Sequence, residues 1–158
     1  MWRRGKRQPE QIIQQLLNFV MRNAVIYRKS DDGRRCVALD AANAAELLAY
    51  IGQDARHRKK FNHIVDLLLQ GSHNTDLYDK EDINERCKDV AAMKLFKGQE
   101  NDRIYCKQFT DGPQKVFVVV AARLHEKKKN QKNKQAEISI IETVATYDYD
   151  YATFIPLP

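Results

Sequence analysis

The sequence predicts an α+β fold: an antiparallel β-sheet, made of a three-strand meander plus an N-terminal strand, with a two-helix layer and an additional N-terminal helix. Three observations predict it. The run from Val116 to Ala122 is dominated by β-branched and aromatic residues and has no polar member. A strand with one wet face alternates, so this run reads as a central strand covered on both faces. Two segments of helical apolar spacing are each opened by an aspartate and closed by a glycine, Asp40 with Gly52 and Asp54 with Gly71. Finally, short apolar runs from Val90 onward are separated by Gly98-Gln99-Glu100-Asn101-Asp102 and Thr110-Asp111-Gly112-Pro113-Gln114, both of turn composition.

Length and composition set the frame. The chain of 158 residues suits one domain, and 43% hydrophobic with 30% charged residues suits a soluble globular protein. A net charge of +6 and a pI near 9.2 fit an anionic partner. Cys36, Cys87 and Cys106 are odd in number, far apart and without metal-ligand spacing, so they read as reduced thiols of a cytoplasmic protein. The basic start is followed by Gln14, Gln15 and Asn18, which break any signal-peptide core, and no apolar stretch is long enough to cross a bilayer.

Pro9 to Asn23 predicts a helix with Ile12, Ile13, Leu16, Leu17 and Val20 on one packing face. Val25-Ile26-Tyr27 and Cys36-Val37-Ala38-Leu39 flank the turn residues Ser30-Asp31-Asp32-Gly33 as a hairpin. The first of the two following helices runs from Ala41 to Ile51, with Ala45, Leu48 and Ile51 expected inward. The second runs to Gln70, with Phe61, Ile64, Val65, Leu68 and Leu69 inward. Its opening run Arg56, His57, Arg58, Lys59 and Lys60 opposes the helix dipole and reads as a solvated face rather than a phosphate contact. Ser72 to Asp89 reads as a loop with a short helix around Asp82 to Lys88. Its acids, Glu81 among them, lack the pattern of a calcium loop and read as solvated surface.

The meander strands are Val90 to Phe96, Arg103 to Phe109 and Lys115 to Leu124. Pairing Phe109 with Lys115 sets Arg103 opposite Ala121 and puts Arg103, Tyr105, Lys107, Arg123 and His125 on one face. Ile104 and Cys106 then look into the core with Val116, Val118 and Val120. Gln135 to Tyr151 reads as a helix or extended tail, with Ile138, Ile141, Val144 and Ala145 at helical spacing.

The chemistry concentrates where the central strand ends. Arg123, Lys127, Lys128, Lys129, Lys132 and Lys134 stand against the single acid Glu126, a density of cations that favours nucleic acid. RNA cleavage asks for a base near the ribose 2′-hydroxyl, an acid at the leaving oxygen, and cations for charge growing on phosphate. Arg103, Arg123 and the lysines from Lys127 to Lys129 can serve the charge. Tyr105 can stack a base, and His125 is the cluster's one histidine and its acid–base candidate. The alternative is a strand-end histidine with no chemical role. Gly-rich phosphate loops, nucleophile elbows and metal-binding histidine pairs are absent from the sequence.

The order of strand, two helices, three-stranded meander and terminal Arg-x-His-x-Lys-Lys resembles the RelE/HigB toxins of the RelE/ParE superfamily, over roughly Cys36 to Tyr151. The likeness is carried by Met93-Lys94-Leu95-Phe96, by Asp102-Arg103-Ile104-Tyr105-Cys106-Lys107-Gln108-Phe109 and by Val118 to Lys129. It implies a RelE-like domain at 36–151, preceded by an extension at 1–35 and followed by a tail at 152–158. It further implies a toxin of a type II toxin–antitoxin system: an mRNA endonuclease acting at the ribosome, by metal-independent phosphodiester transfer to the 2′-hydroxyl. No cofactor, metal or membrane is expected, and the partners would be mRNA, the ribosome and a cognate antitoxin of helix-turn-helix type. On this resemblance the catalytic set is Arg103, Arg123, His125, Lys127 and Lys128. The RNA-binding set is Tyr105, Lys107, Lys129, Lys132 and Lys134. Two other readings use the same fold: a ParE-like inhibitor of DNA gyrase, and a non-catalytic RNA-binding or phage-derived protein. The cation-rich sheet and His125 favour the nuclease.

Overall fold

The computed structural model describes residues 8–13, 21–96, 101–126 and 134–157. Its strands are β1 (Met21–Arg22), β2 (Ala24–Lys29), β3 (Arg35–Asp40), β4 (Tyr78–Lys80), β5 (Val90–Lys94), β6 (Arg103–Asp111), β7 (Val116–His125), β8 (Asp148–Tyr149) and β9 (Ile155–Pro156). Its helices are α1 (Ala44–Ile51), α2 (Ala55–Gln70) and α3 (Lys134–Ala145), with residues 9–13 also helical and 3-10 turns at Glu85–Cys87 and Tyr151–Thr153. Seven strands form one sheet in the order β4-β5-β6-β7-β3-β2-β9, and β1 pairs with β8 separately.

The apolar run is the middle strand, as its lack of alternation predicts. One face of β7 gives Val119 and Ala121 to a core shared with Leu47 and Tyr50 of α1 and Phe61, Ile64 and Val65 of α2. The other gives Val116, Val118, Val120 and Ala122 to a second core closed by Ile141 and Val144 of α3 and by Tyr147, Tyr149 and Phe154. The fold class is therefore α+β, with both faces of the sheet covered, but the sheet is mixed rather than antiparallel. The helix pair and the meander form the crossover that brings β7 back parallel to β3, with Cys36 opposite Val118 and Ala38 opposite Val120. The 9-residue β6 and 10-residue β7 run antiparallel beside this pair.

The helix α2 follows its sequence signals. Asp54 accepts the His57 backbone N–H at 2.8 Å, and Gly71 closes the helix at φ 73°, a left-handed conformation that favours glycine. The basic run at its start is not wholly solvated as expected: His57 is buried, its Nδ1 2.8 Å from Asp54 Oδ1 and its ring edge-on to Tyr50 and Phe96. Helix α1 departs from expectation. Asp40 accepts from the backbone N–H groups of Ala42 and Asn43 in the preceding turn, and the helix begins only at Ala44. Its buried stripe is Leu47, Tyr50 and Ile51, while Ala45 and Leu48 face solvent. Tyr50 decides the choice, because its ring fills the core while its hydroxyl donates to Asp102 at 2.8 Å.

The N-terminal helix expected to reach Asn23 stops earlier, since Met21–Arg22 is already β1. Residues 9–13 are helical and exposed; Leu16, Leu17 and Val20 lie outside the described residues. Arg22 folds inward to meet Asp40, which is fully buried. Arg22 Nε and NH2 donate at 2.7 and 3.0 Å, and the Tyr149 hydroxyl donates at 2.7 Å. Asp40 thus ties β1 and the tail to the end of β3.

The meander register also differs from the expected one. Asp111 pairs with Val116 and Phe109 with Val118, because the turn spans only 112–115, with Gly112 and Lys115 at positive φ. Ile104 and Cys106 therefore pack with Val119 and Ala121, not with Val116, Val118 and Val120. Sequence alternation had no power to choose, since both faces of β7 are apolar.

Candidate functional site

A bulge in β7 builds the site. Tyr105 pairs with Arg123 and Cys106 with Ala121, which leaves Ala122 as the extra residue. Its carbonyl is taken by the Asn43 side-chain amide at 2.8 Å, at the start of α1. The extra residue reverses the alternation beyond it. Leu124 now packs with the helix-pair core, while Arg123 and His125 turn to the α3 face, opposite Tyr105 and Arg103. Arg103, Tyr105, Lys107, Arg123 and His125 therefore do share one face, as expected, through a bulge rather than the simple register.

Acids from two other elements complete the cluster. Glu81, just after β4, accepts from Arg103 NH1 at 2.9 Å, and the two side chains are only 15% and 22% exposed. Glu137 of α3 lies 4.0 Å from His125 Nε2, with side chains 17% and 21% exposed. Arg123 NH1 approaches the Tyr147 hydroxyl at 3.4 Å, and the Arg22 guanidinium lies 3.9 Å above the same ring, which links the cluster to Asp40. Two arginines, one histidine and two carboxylates thus form a half-open group at the end of β6 and β7. Such a group can bind a phosphate and move protons.

Tyr105 lies beneath them and is fully buried, so its ring has no free face on which to stack a base. Burial pushes its hydroxyl well above the ordinary tyrosine range, and the charges of Glu137 and Glu81 push it the same way. The hydroxyl and Arg103 Nε are both buried without a hydrogen-bond partner among the described residues. Lys107 is directed to α3: its ammonium donates to the Ala145 carbonyl at 2.6 Å and caps the C-terminus of that helix. Lys134 is exposed at the start of α3. Lys127, Lys128, Lys129 and Lys132 lie outside the described residues.

Glu81 and Glu137 are the residues that sequence reasoning missed. Glu81 sits in a polar stretch that reads as surface, next to Asp82 at φ 42°. Glu137 lies one and two turns before the buried Ile141 and Val144, on the inward face of α3, where its charge alone reads as surface. The one available signal was that 135–158 carries acids without lysine or arginine, as a segment lying against a basic edge would. Among the described residues, no helix is long and apolar enough to cross a membrane, and no three His, Cys, Asp or Glu side chains are grouped to hold a metal ion. The chain matches no family model, no curated protein and no solved structure.

Proposed function

We propose that this protein is a toxin-like endoribonuclease that cleaves mRNA at the ribosome by transferring the phosphodiester to the 2′-hydroxyl. One observation carries the reading: the bulged pairing that sets Arg103 opposite His125 and Arg123 beside them, with Glu137 4.0 Å from His125. In this transfer the 2′-oxygen attacks phosphorus and the bond from phosphorus to the 5′-oxygen breaks. A base takes the 2′-hydroxyl proton and an acid protonates the departing 5′-oxygen. A carboxylate and an imidazole are suited to those two tasks, and we assign them to Glu137 and His125. Arg103 and Arg123 bear the negative charge that grows on the phosphate oxygens. The partial exposure of His125, Glu137, Arg103 and Glu81 leaves these groups within reach of a phosphate.

The ribosome as the place of action, and a helix-turn-helix antitoxin as the restraining partner, rest on the resemblance to RelE/HigB toxins. Expression in a bacterial host with primer-extension mapping of transcripts tests the function. New 5′ ends within coding regions are the expected result, and they should disappear with Arg123→Ala. Growth arrest with intact transcripts and altered plasmid supercoiling would point to gyrase instead. Arrest-free expression with intact transcripts would leave RNA binding without cleavage.

A further inference from the structure

A second site lies at the other end of β7 and on the opposite face of the sheet. Phe117, which packs with the helix-pair core, is eight residues from His125 along the strand, about 26 Å at the rise of a β-strand. There the C-terminal half of α2, the residues after it, β4, Gln108 of β6 and the first residues of β3 and β7 line a cleft of about 480 Å³. Its volume falls within the range typical of small-molecule sites. Leu67, Leu68 and Phe117 supply apolar wall, and Arg35 and Gln108 supply polar groups.

Arg35 is held ready. Its Nε donates to the Leu68 carbonyl, and its guanidinium carbon lies 4.5 Å from the Phe117 ring centroid. It rests against Gly71, where a side-chain Cβ would meet the guanidinium at 3.6 Å. Its two terminal nitrogens make no hydrogen bond among the described residues. Gln108 is half-committed in the same way. Its Oε1 accepts from the Tyr78 hydroxyl at 2.7 Å, which fixes the amide and leaves the Nε2 protons without an acceptor among the described residues. A fixed guanidinium fork and a fixed amide donor, set on apolar wall, are complementary to a planar anion attached to an apolar body. Among the lining side chains Lys80 and Asp79 offset each other formally, so Arg35 sets the net charge and matches a monoanion better than a phosphate dianion.

We propose that this cleft binds a small organic carboxylate, its carboxylate on the Arg35 terminal nitrogens and Gln108 Nε2 and its apolar body on Leu67, Leu68 and Phe117. The site is independent of the nuclease reading, since it shares no residue with that cluster.

The test is a titration of the isotope-labelled full chain with 3-phenylpropanoate and, in parallel, with its neutral amide, read by proton–nitrogen correlation spectra. The acid should give saturable shifts at Arg35, Gly71, Ser72 and Gln108. The amide should bind at least roughly tenfold more weakly, the scale of one lost charge-assisted hydrogen bond. Arg35→Met should weaken the acid by a similar factor. Because Arg35 also holds the Leu68 carbonyl, Ser72→Trp serves as a second variant. It fills the cleft from an exposed position and should abolish the shifts with the fold intact. Equal binding of acid and amide, shifts lying outside the cleft, or undiminished binding in both variants would overturn the proposal.

Discussion

Replacing Asp40 with asparagine should be among the most damaging single changes outside the candidate site. The carboxylate is fully buried and accepts five hydrogen bonds. Oδ2 takes Arg22 Nε and the Tyr149 hydroxyl; Oδ1 takes Arg22 NH2 and the backbone N–H groups of Ala42 and Asn43. An asparagine must put its NH2 where one oxygen was, and each orientation sets that donor against two or three other donors. The bond to Asp40 also raises the Arg22 pKa beyond its ordinary value, and burial with the nearby Asp40 carboxylate raises the Tyr149 hydroxyl. Breaking a buried charged pair typically costs about 3 to 5 kcal/mol. Arg22 is 31% exposed and can regain some water, so the lower end applies, about 3 kcal/mol. For a chain of this length that corresponds to a fall in Tm of roughly 6 to 12 °C. Tyr149→Phe, which removes one donor and leaves the pair intact, should cost only about 1 kcal/mol. Thermal and urea unfolding followed by circular dichroism would measure both. A loss below about 1 kcal/mol for Asp40→Asn would refute the claim that this carboxylate fastens β1 and the tail to the sheet.

In purified form, His125→Ala and Arg123→Ala should each slow RNA cleavage by about 100-fold, the scale of a lost proton-transfer group or preorganised donor, with unfolding curves little changed. The three cysteines are buried. Burial pushes the Cys36 thiol up to about 11 and raises Cys87 and Cys106 as well. The native protein should therefore be almost inert to Ellman's reagent at neutral pH and release three thiols only on denaturation; rapid native reaction would contradict the packing. Asp54 is held below its ordinary value of 3.8, first by the His57 backbone N–H and then by the His57 side chain. Its stabilising effect is fully present above 3.8 and is lost as pH falls through the lowered folded-state value. Asp54→Ala should therefore flatten the stability–pH curve in that acidic window, and an unchanged acid limb would show that the cap is not formed in solution.

How much of this was legible in the sequence depended on whether the signal was local. The caps of α2 are local, and so is the unbroken apolar run of β7; both appear where the residues predicted. The hairpin of β2 and β3 announces itself through the Ser30–Gly33 turn in the same way. The parallel pairing of β3 with β7 and the short edge strands β4 and β9 are set by distant partners, and no periodicity in two or three residues encodes them. The bulge at Ala122 is the clearest case. Nothing near it in sequence marks it, because its carbonyl is satisfied by Asn43, 79 positions away. The site divides along the same line. Arg103, Arg123 and His125 were readable as the charged ends of adjacent strands. Glu81 and Glu137 reach them only through tertiary packing, and the burial of Tyr105 and the bond of Lys107 to the end of α3 are likewise set by distant partners.

The most direct test of the cleavage mechanism is the response of the purified chain to a message, bound on ribosomes, that carries a single 2′-O-methyl nucleotide at the mapped cut. Transfer to the 2′-hydroxyl predicts that the unmodified message is cut to a 2′,3′-cyclic phosphate end and that the methylated one is not cut at that position. Cleavage of the methylated message at an undiminished rate would contradict the account, since the attacking oxygen would then have to come from elsewhere.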